Sequence, residues 1–387
     1  MIGMSAVIFI PDDTAKTGYP QPLMLQSVMG APLLAWLANA LFDSGVGRFF
    51  LVCHDRYVEA ARACLPAEAE VMTTMDSDPA DLLHVFLSTA EDAEHTITVV
   101  TGPAVYLPQL APQAAGRFPR VYGVSREELM QALDEHFSFA RFLLDNGSPM
   151  NEEQAMYSVA SPAELPEIAG LLQRNRLLAL ARTGVEIYDA SSCYVEPSVR
   201  VAPGARLLPG TMLRGKTVIG EEAVIGPWSV IDDSVIGARA VVNASQVRDS
   251  RVGQDAVVGP YASVRGGCEL GRSVRAGSFV ELKNARLGEN TQVPHLAYLG
   301  DTEVGANCNF GCGVATANFD RVQKHETVVG EGAFIGCNTA LIAPLQVGSG
   351  AYIGAGSTIT EDVPAQALGI ARARQSNKKE WAAKHKK

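Results

Sequence analysis

The sequence predicts an α/β domain followed by a parallel β-helix of hexapeptide repeats. Two observations carry that prediction. From residue 195 onward, aliphatic residues recur every six positions. Before residue 190, apolar runs of strand length alternate with helical patterns instead. At 387 residues the chain is long enough to hold both. Hydrophobic residues make up 47% of it and charged residues 19%, the balance of a globular protein. A net charge of −10 argues against a broad nucleic-acid-binding surface.

In the first domain, SAVIFI and RFFLVC read as buried strands, with APLLAWLANALFDSG as a helix between them. HTITVVTG reads as a further buried strand. The alternation predicts a mostly parallel, Rossmann-like sheet. SREELMQALDEHFSFARFLLDNG reads as a helix opened by a capping box of Ser125 and Glu128. SPAELPEIAGLLQRNRLLALARTG reads as a second one, with Ser161 and Glu164 as its box and Pro162 at the first helical position. It ends near Gly184 and bridges to the repeats. The expected divisions are residues 1–160, a bridging helix over 161–184, the β-helix over 185–371 and a basic tail over 372–387. The apolar run near the N-terminus is too short to span a membrane, and no basic segment precedes it, so a cytoplasmic chain is expected.

The repeats begin with Val195, Val201, Leu207, Leu213, Ile219, Ile225 and Ile231, each six apart. After a few five-residue steps they continue through Val258, Val264 and Leu270, and again through Val329, Ile335, Leu341, Val347, Ile353 and Ile359. An amphipathic helix has period 3.6 and an exposed strand period 2, so neither explains sixes. A hexapeptide unit is one short strand plus a turn, and three units close a coil. The aliphatic residue fills the interior. Glycine is expected at the turns, where a Cβ would clash or φ must be positive. Between Thr316 and Val329 the sixes stop, at ANFDRVQKHETV. That predicts a loop thrown out of the coil, a common place for a binding surface.

Residues 294–320, PHLAYLGDTEVGANCNFGCGVATANFD, put a histidine, a tyrosine and several asparagines into the stack. A lone histidine in a repeat is ordinarily a surface residue. His295, however, comes with Tyr298, Asn309, Arg265 and Lys283 at coil-scale spacing. The seven cysteines, at 53, 64, 193, 268, 308, 312 and 337, are scattered and odd in number. They read as reduced thiols serving as small core residues, without the neighbours a metal site needs.

The ordered motifs GPYASVRGG, FVELKNARLG, PHLAYLGD, EVGANCNFGCG, ANFD and GIARARQSNKKEW resemble the acetyltransferase half of the GlmU family, the bifunctional glucosamine-1-phosphate acetyltransferases and N-acetylglucosamine-1-phosphate uridyltransferases. The resemblance runs over roughly residues 160–387. It implies a left-handed β-helix, a homotrimer with sites shared between subunits, and acetyl-CoA as co-substrate with no metal for acetyl transfer. By the same resemblance, His295 matches the general base, with Glu281 and Asn318 beside it as catalytic candidates. Arg265, Lys283 and Lys324 match sugar-phosphate ligands, and Tyr298 and Asn309 match residues at the amino sugar. Cys312, Asn318, Phe319, Cys337, Ala355 and Arg372 fall where the family lines acetyl-CoA. The chemistry suits these residue types. Histidine accepts a proton near neutral pH, and arginine and lysine suit a phosphate dianion.

The chain departs from the family in three places. ANFDR stands for CNYDG, so Phe319 replaces a tyrosine, and Cys337 stands at a position that is often serine. The third departure is larger. Where the family has a glycine-rich loop and a Pro-Lys pair for nucleotide phosphates, this chain has PDDTAKTG and Gln21-Pro22. Asp12 and Asp13 would repel a triphosphate. Pro103 stands at the magnesium-binding aspartate and Ser161 at the second metal ligand. The N-terminal domain is therefore expected to keep the nucleotidyltransferase outline without its chemistry. Three other readings stay open: an acyltransferase for another amino-sugar phosphate, a non-catalytic pseudoenzyme or assembly subunit, and a zinc carbonic anhydrase. The last would need three grouped histidines, where the coils offer His295 and His325.

Overall fold

The computed structural model describes residues 4–74, 79–90, 95–110, 120–134, 139–150 and 155–386. It divides into two compact units, Met1–Leu180 with Val195–Pro197, and Ala181–Tyr194 with Ser198–Lys387.

The first unit is built on a six-stranded sheet. Its strands are β1 (Met4–Phe9), β2 (Val46–Val52), β3 (Glu70–Thr74), β4 (Thr96–Val100), β5 (Val121–Ser125) and β6 (Ser148–Met150). They lie in the order β3-β2-β1-β4-β5-β6. The first four are parallel, β5 runs antiparallel to them, and β6 runs antiparallel to β5. The strands are apolar on both faces because helices cover both. Successive residues go to opposite sides. Ala6, Ile8, Phe49 and Leu51 pack with Leu34, Leu37 and Leu41 of α1 (Leu33–Asp43). Val7, Phe50 and Val99 pack with Leu83, Phe86 and Leu87 of α2 (Ala80–Ser88).

The run read as one helix from Ser125 is two, α3 (Arg126–Asp134) and α4 (Phe139–Asn146), with residues 135–138 outside the described residues. The cap is in place, with the Ser125 hydroxyl accepting from the Glu128 N–H at 3.4 Å. The second expected helix is α5 (Leu165–Arg182), entered through a 3₁₀ turn, Pro162–Glu164. Its cap departs from the expected box: the Glu164 carboxylate accepts from the Ala160 N–H at 3.2 Å, one residue before the Ser161 cap, and the Ser161 hydroxyl makes no cap bond.

The second unit is a 26-stranded parallel coil from Glu186–Ile187 to Leu368–Gly369. Most strands pair with the strand three further along, so three strands make one turn of the coil. The repeat positions point inward. Leu207, Leu213, Ile225, Ile231, Val258, Ile335, Leu341 and Ile353 are fully buried, and Val201 near the start is only half-buried. The five-residue steps keep an interior residue too, at Ile236, Val247 and Val252. Phe310 fills the interior beside Ile335 and has no exposed surface. Phe310→Ala should cost about 3–5 kcal/mol of coil stability, read from the denaturant midpoint.

The corners differ from the glycine-only expectation. Gly259 fits it: at φ +104 a Cβ would run into the Asn243 carbonyl. Elsewhere other residues hold positive φ. One corner carries Asp233, Asp249, Asn284 and Asp301, whose short polar side chains tolerate that conformation. Another carries Trp228, Tyr261, Phe279 and Leu296 at φ 53, 61, 56 and 33. Tyr261 and Phe279 stack there with centroids 5.3 Å apart. No helix among the described residues is long and apolar enough to cross a membrane.

Candidate functional site

Two long strands, Arg275–Leu287 and Gln292–Val304, run parallel around a corner of the coil. Their register sets Ser278 beside His295, Glu281 beside Tyr298 and Lys283 beside Gly300. One coil earlier, Arg265 lies beside Lys283 and Ser263 beside Glu281. Leu282 points inward and is fully buried, so its neighbours Glu281 and Lys283 point out. Arg265, Glu281, Lys283 and Tyr298 thus share one outer face. The Arg265 guanidinium donates to the Glu281 carboxylate. Both side chains are about two-fifths exposed, so the pair orients more than it stabilises.

The interruption in the repeats brings in another cation. Phe319 and Lys324 pair across the loop as an isolated antiparallel bridge. Lys324 comes against Lys283. Hydrogen bonding and like charge from Lys324 lower the Lys283 pKa, burial and Arg265 add to this, and Asp301 opposes it. Arg265, Lys283 and Lys324 therefore form a cationic cluster that a dianion would relieve.

Asp320 shapes the loop. Its carboxylate accepts from the Val322 N–H at 2.7 Å, the Gln323 N–H at 2.8 Å and the His325 Nε2 at 2.8 Å. The His325 N–H donates to the Asn318 carbonyl at 2.8 Å. The Gln323 N–H most of all, then His325 and the Val322 N–H, hold the Asp320 carboxyl well below the usual carboxylate range. A depressed carboxylate contributes stability above its unfolded pKa and loses it as pH falls toward the folded one. The loop should therefore stay clamped above about pH 4 and open only in stronger acid. Hydrogen-exchange protection of the Val322 and Gln323 amides reads this, and Asp320→Ala, which removes the accepting oxygen, should abolish it at every pH.

Asn318 is 8% exposed, and its amide nitrogen donates to Asp301. Asn284 donates to the other Asp301 oxygen at 2.7 Å. Burial pushes the Asp301 pKa up, but the two amides together with Lys324 and Lys283 outweigh it and bring it below the usual range. Asp301 was missed in reading the sequence. The available signal is spacing, since Asn284, Asp301 and Asn318 follow one another at 17 residues.

The remaining predicted residues lie around this face. His295 is exposed at the adjoining corner. Asn309 pairs in register with Gln292 and Phe334, on a different face from Lys283. Cys312 and Cys337 occupy one turn column, and the Gly356 N–H donating to the Cys337 carbonyl at 2.8 Å puts Ala355 next in it. The Arg372 side chain passes 3.7 Å from where a Gly356 Cβ would sit. Phe319 is 61% exposed. The structure thus gathers Arg265, Glu281, Lys283, Tyr298, Asn318 and Lys324, and leaves Asn309 round the corner within one chain.

The reading of the cysteines as core residues needs correction at two positions. Cys53, Cys64, Cys193, Cys268 and Cys308 are buried, but Cys312 and Cys337 are exposed. Those two stand at turns, where the side chain points away from the stack. Among the described residues, no three His, Cys, Asp or Glu side chains converge as a metal site.

In the first unit, the acidic loop is occupied by its own contacts. Asp12 pairs with Arg56 and accepts from the Thr14 hydroxyl at 2.7 Å. Asp13 accepts from the Leu23 N–H at 2.9 Å. Pro103 is buried, with its carbonyl taking the Val159 N–H at 2.8 Å.

Residues 326–361 match the family model described as bacterial transferase hexapeptide (six repeats). The second unit is thus a left-handed hexapeptide β-helix. Over 240 residues, 62% of the chain, the sequence is 43% identical to the bifunctional protein GlmU of Clostridium perfringens, covering 53% of that protein. Over 221 residues, 57% of the chain, it is 45% identical to the bifunctional protein GlmU of Brevibacillus brevis, covering 48% of it. The chain spans about half the length of the curated relatives it matches. Among solved structures, LpxA, a UDP-N-acetylglucosamine acyltransferase from Bacteroides fragilis, is 16% identical over 45% of this chain and 68% of its own, with a TM-score of 0.29. The similarity to GlmU proteins read from the motifs is borne out over about three-fifths of the chain.

Proposed function

We propose that this chain is an acetyl-CoA-dependent N-acetyltransferase that converts glucosamine 1-phosphate to N-acetylglucosamine 1-phosphate, and that it has lost uridyltransferase activity. The observation that carries the reading is the cluster of Arg265, Lys283 and Lys324, drawn from three separate elements onto the face that also bears Glu281 and Tyr298. Three cations against one carboxylate pair suit a sugar phosphate. His295, at the adjoining corner, takes the proton from the amine. The amine nitrogen attacks the thioester carbonyl carbon, the carbon–sulfur bond breaks, and the departing thiolate takes the proton from His295. In this reading Asn318, its amide held by Asp301, orients the acetyl group.

Asn309 lies on another face of the same chain. That suits a site completed by a neighbouring subunit of a homotrimer. The partners in this reading are small molecules and copies of the chain, without nucleic acid or membrane, in the cytoplasm. The contacts of Asp12 with Arg56 and of Asp13 with the Leu23 N–H support an N-terminal domain that no longer binds a nucleotide triphosphate.

The test is CoA release from acetyl-CoA and glucosamine 1-phosphate, with UTP and magnesium in a parallel reaction. Release without pyrophosphate supports a single-function acetyltransferase. Pyrophosphate would restore the nucleotidyltransferase. Absence of release would favour the non-catalytic reading. Phe319, exposed where the family has tyrosine, favours a second reading in which the acceptor is another amino-sugar phosphate. Faster release with such a sugar would establish it.

Asp301→Asn is expected to lower kcat/KM by about tenfold or more, the worth of one hydrogen bond to a charged group. An asparagine there presents N–H groups to Asn318 or Asn284, so one amide must turn over. Asn318→Ala should add little to the loss in the double variant, and additive losses would sink this role for Asp301.

A further inference from the structure

Cys312 and Cys337 differ from the other thiols. At the buried Cys53, Cys64, Cys193, Cys268 and Cys308, desolvation pushes the thiol pKa up, to about 11 at Cys64. Those five are weak nucleophiles out of reach of reagents. The two exposed thiols are 25 residues apart in sequence, yet they take the same position in successive coils. The register Asn309 to Phe334 and Phe310 to Ile335 leads directly into them. Backbone hydrogen bonds bracket the pair. The Gly311 N–H donates to the Ile335 carbonyl at 2.7 Å, and the Asn338 N–H donates to the Cys312 carbonyl at 2.8 Å. The Cys337 Sγ leans toward the earlier coil, where a Cβ built on Gly311 would lie 2.8 Å from it. Neighbouring strands are about 4.7–4.9 Å apart, within the Cα separation of about 4.4–6.8 Å that a disulfide spans.

We propose that Cys312 and Cys337 form a dithiol site that closes to an intramolecular disulfide by exchange with a low-molecular-weight disulfide. One cysteine thiolate attacks a sulfur of the reagent, forming a mixed disulfide and releasing the first reagent thiolate. The other cysteine then attacks the protein-side sulfur, which forms the cross-coil bond and releases the second. The two protons of the cysteines leave on the two reagent thiols. The protein is oxidised by two electrons and the reagent is reduced by two. The coil ladder already holds both residues at bonding range. A consequence rests on the proposed function: this column is the one assigned to acetyl-CoA, so closing it blocks the acyl donor.

The experiment uses the reduced full-length protein with glutathione disulfide, quenched by alkylation and read by intact mass and peptide mapping. The expected product is lighter by two hydrogens, with Cys312 linked to Cys337, and it reverts with dithiothreitol. Cys337→Ser should instead carry one glutathione at Cys312. Native protein that accumulates two glutathiones without the link, or reacts at neither cysteine, overturns the site. CoA release is followed on the same samples. Its loss on linking and recovery on reduction support the consequence. A linked protein with full activity overturns the blocking of the donor and leaves the disulfide standing. Reduced protein without activity counts against the proposed function, since the link is read by mass alone.

Discussion

His295→Ala will lower kcat for CoA release by about 10²–10⁴-fold, the usual range for loss of a general base, with little change in KM for either substrate. The expected split follows from where the residue lies. His295 stands at the corner beside Ser278, off the face that carries the cations, so its loss leaves the phosphate-binding groups in place. His295→Gln, which keeps a hydrogen-bonding group without the basicity, should recover little. Retained activity in both variants would move the base elsewhere.

Arg265→Ala should act on the other parameter. Hydrogen bonds to charged groups are worth about 1.5–3 kcal/mol each, so kcat/KM for a phosphorylated acceptor should fall by about 10–150-fold, mostly through KM. Arg265 also holds Glu281, and the alanine variant frees that carboxylate beside Lys283. Arg265→Lys keeps the charge but not the planar fork, and should recover only part of the loss. The control is an amino sugar without phosphate. Wild type and Arg265→Ala should handle it almost equally, since the lost interaction has no partner there. An equal loss with both acceptors would mean that Arg265 acts through the shape of the coil.

Much of this was legible in the sequence because a hexapeptide stack is close to one-dimensional. The interior residue of each unit announces itself by period, and Leu213, Ile225 and Ile353 are buried where the spacing puts them. The first sheet was also readable, since Val7 and Ile8 belong to a run that is apolar on both faces. Outer faces are harder. Arg265 and Lys283 are 18 residues apart, but Glu281 and Tyr298 are 17, and such slips decide which side chains meet. Asp301 was missed for that reason. The corners were misjudged in part, because Trp228 and Tyr261 hold a backbone conformation usually left to glycine, and propensity does not reveal that. The Asp320 clamp depends on the path of one loop, and no period describes it.

The pairing of strands with their third neighbours has a consequence for how such a protein is made. Val218 meets Val235, and Val235 meets Arg251, so each contact closes a short length of chain. Parallel sheets ordinarily wait for distant segments to find each other, and they form slowly for that reason. Here one turn, once wound, templates the next, and growth can proceed from any nucleus along the axis. Damage should stay local by the same logic. A fault in one turn is felt chiefly by the turns above and below it, and whole turns can be gained or lost over evolutionary time without disturbing a site several turns away.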